Sequence, residues 1–108
     1  MQYIYRYDIA PHRAGAFARW VVDNDADIRA HAVEGWEYLG TWMTVRGFGS
    51  YQAETRWEIT EYADLGSGFG DDVSQRLMGE FFEFVDRGRP AEASLMKSVN
   101  NVQILAGA

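Results

Sequence analysis

The chain has 108 residues, of which 47% are hydrophobic and 24% are charged, with a net charge of −6. This composition predicts one globular domain over residues 1–108, and the acidic balance argues against binding of a nucleic-acid backbone. The chain has no cysteine, which excludes disulfides. It has no charged-then-apolar leader and no apolar run near the roughly 20 residues of a membrane span, so we expect a cytoplasmic protein without membrane contact.

The first predicted element is a strand from Gln2 to Ile9. Its alternate residues, which share one face, are Tyr3, Tyr5, Tyr7 and Ile9. Pro11 ends the strand because it removes a backbone donor and fixes φ.

A helix is predicted from Arg13 to about Val33. Its stripe of residues at spacings of three and four comprises Phe17, Val21, Asn24, Ile28 and His31. Two polar side chains, Asn24 and His31, therefore lie on an otherwise apolar face.

Residues 36–62 carry three of the four tryptophans and are typical of a long β-hairpin with a Gly-rich turn at residues 47–50. If Arg46 faces Tyr51, Trp42 faces Thr55. This register predicts one aromatic face containing Trp36, Tyr38, Trp42 and Trp57. It also places Gly40 opposite Trp57, where a missing side chain leaves room for the indole.

The second half of the chain predicts a flexible loop over residues 63–68 and then a helix. The helix begins at Phe69 or Asp71 and ends near Arg87, followed by a stop at Gly88 and Pro90. Its predicted buried stripe is Val73, Leu77, Phe81, Phe84 and Val85. A last strand is expected within residues 94–105, with a bulge or turn at residues 100–101.

The order βαββαβ predicts an α+β, ferredoxin-like fold, in which an antiparallel four-stranded sheet carries two helices on one face. The other face would hold aliphatic residues among charged ones, namely Ile4, Leu39, Met43 and Val45. Packing of this face against a second copy predicts a homodimer with a two-fold interface.

This order and length resemble the dimeric α/β-barrel superfamily, and the hairpin is similar to NIPSNAP-type domains and related antibiotic-biosynthesis-monooxygenase-like domains. The matching elements are Gly40-Thr41-Trp42, Gly47 in the turn, and the segment Trp57–Tyr62. Members include quinone-forming and haem-degrading monooxygenases, small-molecule isomerases and decarboxylases, and domains without known activity. The resemblance implies an apolar ligand site between helices and sheet in each subunit of a dimer.

The aromatic face predicts a pocket for a flat, hydrophobic ligand, lined by Trp42, Trp57, Tyr38 and Tyr5. The alternative is simple core packing of the same rings. If the protein is an enzyme, His31 is the candidate general base toward an acidic phenol or enol, and Asn24 is the candidate to orient a carbonyl or oxyanion. The alternative for this pair is a half-exposed histidine at a helix end and an asparagine at the stripe's edge.

No metal site is predicted, because neither His12 nor His31 lies in a ligand motif and there is no cysteine. Chemistry without a cofactor is favoured, such as oxygenation, isomerisation or cyclisation, and haem held by one axial histidine stays an alternative. The competing hypothesis is a non-catalytic binding or assembly module. A cavity of a few hundred Å³ under the helices that reaches His31 would favour ligand binding, and a filled core would favour the module.

Overall fold

A computed structural model describes residues 1–45, 51–66 and 70–101. The six predicted elements occur in the predicted order, and they are β1 (Gln2–Tyr7), α1 (Ala14–Ala30), β2 (Trp36–Met43), β3 (Ala53–Ile59), α2 (Asp72–Phe84) and β4 (Glu92–Met96). All strand pairs are antiparallel, in the sheet order β2-β3-β1-β4. Both helices lie on one face, since Phe17 of α1 and Phe81 of α2 contact the ring of Tyr7. The ferredoxin-like α+β prediction is confirmed.

Some element boundaries differ from the predicted ones. Strand β1 ends at Tyr7, and Ile9 forms an isolated antiparallel β-bridge with Val85. Part of the predicted flexible loop is instead a 3₁₀ helix, Tyr62–Gly66, and a second one, Val99–Asn101, follows β4. The predicted turn at residues 47–50 and the end of the predicted last strand lie outside the described residues.

The hairpin register predicted from the turn is wrong. Trp42 pairs with Glu54, and Thr41 pairs with Thr55. Near the turn, each β2 residue therefore pairs with the β3 residue one position earlier than predicted. A β-bulge at Leu39, between Tyr38 and Gly40, shifts it by one more residue. Side chains alternate along a strand, so the first shift turns Trp42 to the other face and the bulge returns Tyr38 to the helix side.

The bulge explains the glycine at position 40. Gly40 has a φ of +139°, which residues with a side chain rarely adopt. A Cβ at this position would lie 3.2 Å from the Cη2 atom of Trp42. Gly40 faces Arg56 across the sheet, so the predicted role of making room for the Trp57 indole is also wrong.

On the sheet face that has no helices, charged side chains lie beside the Trp42 ring. Arg6 donates to Glu54 at 3.1 Å, and Arg56 donates to the other oxygen of the same carboxylate at 2.6 Å. Trp42, 49% exposed, lies under the Arg56 guanidinium at 5.1 Å. The predicted presence of Met43 on this face is wrong, since it pairs with Ala53, beside the core on the helix side.

The core lies toward one end of the helix layer. It is formed by the start of α1, the end of α2 and the last residues of β1. Its buried cluster is Tyr7, Ile9, Phe17, Ala53 and Phe84. Of the predicted helix stripes, Phe17 in α1 and Leu77 and Phe84 in α2 are buried, and the other stripe residues are half-buried. Val85 lies just beyond the end of α2. Within the described residues, neither helix has the length and apolar content needed to cross a membrane.

Candidate functional site

A cavity of about 410 Å³ lies between the sheet and the two helices. It lies over the sheet and extends toward the end of α1 and the start of α2, and Tyr5, Trp20 and Phe81 form a wall that it shares with the core. His31 is one of its lining residues. The geometry therefore meets the condition that favours a binding site over a filled core.

The sheet side of the cavity is aromatic. Tyr3, Trp57 and Tyr38 are direct neighbours across three adjacent strands, because the register places them on one face. The Tyr38 and Trp57 ring centroids are 5.2 Å apart, and Trp36 lies 5.7 Å from Trp57. Tyr5, two residues after Tyr3 on β1, lies on the same face and also lines the cavity. The Tyr38 and Trp36 rings meet the Trp57 ring at 58° and 75°, so the floor is a set of tilted and edge-on aromatic rings that suits an apolar or aromatic ligand.

The helix side of the cavity is mainly aliphatic and aromatic. Trp20, Ile28 and His31 line it from α1. The lining residues from α2 are Ser74, Leu77, Met78, Phe81 and Phe82. Met78 and Phe82 are exposed, so they form the outer rim, whereas Leu77 is buried.

His31 and Asp71 join the two helices at the edge of the cavity. The Nδ1 atom of His31 lies 2.7 Å from Oδ2 of Asp71. The other oxygen of Asp71 accepts the backbone N–H of Ser74 and so caps α2. The His31 ring, and then the Ser74 N–H, hold the pKa of Asp71 below its usual value. With Nδ1 engaged in this way, the Nε2 atom of a neutral His31 is left as the proton acceptor.

Four hydroxyl groups form a continuous hydrogen-bonded chain at the floor of the cavity. Tyr38 Oη lies 2.5 Å from Thr41 Oγ1, which lies 3.1 Å from Thr55 Oγ1. Thr55 Oγ1 lies 2.7 Å from Tyr7 Oη, in the core. Thr41 and Thr55 both line the cavity. The sheet therefore brings polar atoms to a surface that is otherwise apolar.

Two further polar groups have no hydrogen-bond partner among the described residues, namely the Tyr5 hydroxyl and the Trp57 indole N–H. The described residues contain no buried side-chain nitrogen or oxygen without a hydrogen bond, so both atoms are accessible. Burial raises the pKa of Tyr5, and Tyr3 raises it further, so its hydroxyl stays protonated at neutral pH. Both groups can therefore donate a hydrogen bond to a ligand.

Three of the predicted ligand-binding residues, Tyr5, Tyr38 and Trp57, line the cavity with His31. The prediction that Trp42 shares their face is wrong because of the register shift. Asn24 is not among the lining residues, and its Nδ2 atom donates to the Trp20 carbonyl at 2.8 Å, one turn earlier. That bond uses one of the two N–H groups of the side-chain amide.

The sequence interpretation missed Asp71 as a partner of His31, and it missed the hydroxyl chain. Asp71 was recognised only as a helix-start residue, since its sequence position says nothing of a contact 40 residues away. The pairing of Thr41 with Thr55 would have followed from the correct hairpin register. The described residues contain no group of three side chains that could hold a metal ion.

No protein-family model and no curated protein matches the chain. Solved structures are similar to it. An uncharacterised NIPSNAP domain protein from Burkholderia xenovorans has a TM-score of 0.60 and 16% identity, over 92% of this chain and 96% of the other. A NIPSNAP family protein from Agrobacterium tumefaciens has a TM-score of 0.61 and 15% identity, over 91% and 86%.

A third similar structure is a proposed antibiotic biosynthesis monooxygenase from Caulobacter crescentus CB15. Its TM-score is 0.60 at 13% identity, over 91% of this chain and 88% of the other. The names of these neighbours agree with the two domain types that the sequence resembled. At such low identity the likeness is one of fold.

Proposed function

We propose that this protein binds a small, flat, hydrophobic or aromatic molecule in the cavity between its helices and its sheet. The observation that carries the proposal is the cavity of about 410 Å³ with an aromatic floor and accessible polar atoms. A pocket with a few convergent polar groups on apolar walls is typical of small-molecule sites. An aromatic face that served only as core would be expected to leave no such space.

We further propose that His31 takes a proton from a phenol or enol of the bound molecule. The 2.7 Å contact of its Nδ1 atom with Asp71 supports this role, since a carboxylate there orients the ring and stabilises the imidazolium that forms. The chemistry that this arrangement serves best is cofactor-independent oxygenation, isomerisation or cyclisation. The neighbour that is a proposed monooxygenase supports oxygenation within that group.

The binding proposal is tested by NMR titration of the protein with 2-naphthol, a flat phenol. The indole N–H signal of Trp57 and the ring signals of His31 are expected to shift and saturate together. Trp42 and His12 are built-in controls, because Trp42 lies on the other sheet face and His12 is exposed outside the cavity lining. Saturable shifts at Trp42 with none at Trp57 would contradict the proposed site. If the Trp57 signal shifts and the His31 ring signals do not, the binding proposal stands and the proton-transfer role of His31 is contradicted.

Two copies of the chain are proposed to pack through the helix-free sheet faces as a homodimeric α/β barrel. Exposed apolar groups on this face, Trp42 and Met96, support the contact, as does the mixed-charge cluster of Arg6, Glu54 and Arg56. We expect light scattering at micromolar concentration to give twice the mass of 12.3 kDa. A mass of one chain under those conditions would contradict the barrel.

A further inference from the structure

The four-hydroxyl chain at the cavity floor has one proton more than it has internal hydrogen bonds. Tyr38, Thr41, Thr55 and Tyr7 each carry one O–H proton, and each bond between them uses one. Three contacts join the four oxygens. One proton must therefore be donated outside the chain.

The two tyrosines at the ends of the chain donate inward. Tyr7 is fully buried and Tyr38 is 2% exposed, so a phenol proton turned away from the threonines would be left without an acceptor. Burial also raises the pKa of both Tyr7 and Tyr38, so both phenols stay protonated at neutral pH. The surplus proton consequently belongs to one of the threonines.

Thr41 is the better placed of the two threonines to donate outward. Thr55 is 6% exposed, whereas Thr41 is half-buried, and both line the cavity. When Thr55 donates to Thr41, the Thr41 oxygen accepts from both Tyr38 and Thr55. Its own proton then has no acceptor among the described residues.

We infer that the Thr41 hydroxyl donates a hydrogen bond to a carbonyl or oxyanion oxygen of the bound molecule, which makes the ligand an aromatic ketone, quinone or enolate rather than a hydrocarbon. This inference rests on the proposed function, because it names the ligand class of the same cavity. The Trp57 indole N–H is a second donor on the same floor and has no acceptor among the described residues. Two hydrogen-bond donors without acceptors on the cavity floor favour a ligand that presents an acceptor atom toward them.

Two probes that differ by one carbonyl test the inference, 1-tetralone and tetralin. Their affinities are measured by titration calorimetry, and the quantity of interest is the ratio of the two Kd values. Comparing this ratio between variants cancels the change in cavity shape that both probes feel. Because one neutral hydrogen bond contributes about 0.5–1.5 kcal/mol, its loss is expected to change the ratio about 3- to 10-fold.

Each test variant removes one tyrosine and one threonine hydroxyl together, so that no buried phenol is left without a partner. The double variant Tyr38→Phe/Thr41→Val is expected to lose the preference for tetralone by about 3- to 10-fold. Tyr7→Phe/Thr55→Val keeps the Tyr38–Thr41 pair and removes the alternative donor, Thr55. The matched control is Tyr51→Phe/Thr44→Val, which removes one tyrosine and one threonine hydroxyl outside the cavity lining, and its ratio is expected to stay within about 2-fold of the starting value. Thr41→Ser retains the hydroxyl and should retain the preference.

Every outcome separates the two proposals. If tetralin and tetralone both fail to bind the unaltered protein, the proposed function is contradicted. If both bind and the ratio changes in neither Tyr38→Phe/Thr41→Val nor Tyr7→Phe/Thr55→Val, the binding proposal stands and the hydroxyl donor is contradicted. A loss in Tyr7→Phe/Thr55→Val alone would overturn the assignment to Thr41 and give it to Thr55. Circular dichroism checks that each variant is folded under the conditions in which its two Kd values are measured.

Discussion

Replacing Trp57 by alanine is expected to weaken binding of 2-naphthol about 10- to 100-fold. Trp57 lies at the centre of the aromatic floor, with the centroids of Tyr38 and Trp36 at 5.2 and 5.7 Å. Burying one large apolar side chain against a ligand contributes about 1.5–3 kcal/mol, and about 1.4 kcal/mol corresponds to a factor of ten. Titration calorimetry of the folded variant measures the loss.

The control is Trp42→Ala, which removes the same side chain from the opposite face of the sheet. Its affinity for 2-naphthol should stay within about 3-fold of the starting value, as expected for a change outside the site. Light scattering is measured alongside, since Trp42 lies on the face proposed to contact a second copy. Equal losses of affinity in the two variants, with assembly unchanged, would show that the ligand does not lie on the aromatic floor.

Replacing Phe17 by alanine is expected to lower the free energy of unfolding by about 3–5 kcal/mol. Phe17 is fully buried in the core. Its ring contacts Tyr7 from the sheet and Phe84 from α2, with centroid distances of 6.0 and 5.5 Å. Truncation removes these contacts and leaves a void that neighbouring rings on three elements fill only in part. Urea denaturation followed by circular dichroism measures the change.

Val22→Ala provides the control on the same helix. Val22 is 75% exposed, so its truncation should change the free energy of unfolding by no more than about 0.5 kcal/mol. A similarly small effect for Phe17→Ala would mean that the aromatic cluster around Tyr7 is not the main source of stability.

The order and type of the elements followed from hydrophobic periodicity and from stop signals. The Tyr3–Tyr5–Tyr7 alternation and the Phe17–Val21–Ile28 stripe are local patterns, and local patterns are what a sequence displays directly. Tyr5 lies on the helix side by the same alternation. Tyr38 and Trp57 share that side because the register shift and the bulge together move the pairing by two residues, which restores the predicted alternation.

The errors arose where a position depends on an irregularity or on a distant contact. Reading Trp36, Tyr38, Gly40 and Trp42 as one uninterrupted alternation ignored a bulge, and a bulge reverses the alternation beyond it. Gly40, in the middle of the strand, was the available signal, since glycine inside a strand often marks a bulge. The contact of His31 with Asp71, 40 residues along the chain, depends on how the two helices pack, which spacing alone does not determine.

The core and the cavity are centred toward opposite ends of the same pair of helices and share a wall of Tyr5, Trp20 and Phe81. Phe17 and Phe84 hold the helices to the sheet at one end, while Ile28, His31 and Leu77 line the cavity at the other. Substitutions of cavity residues outside this shared wall therefore leave the buried cluster of Tyr7, Phe17 and Phe84 intact. Related sequences are expected to diversify at Ile28, Met78 and Phe82 while Tyr7 and Phe17 stay aromatic, so that new ligand preferences arise without loss of the scaffold.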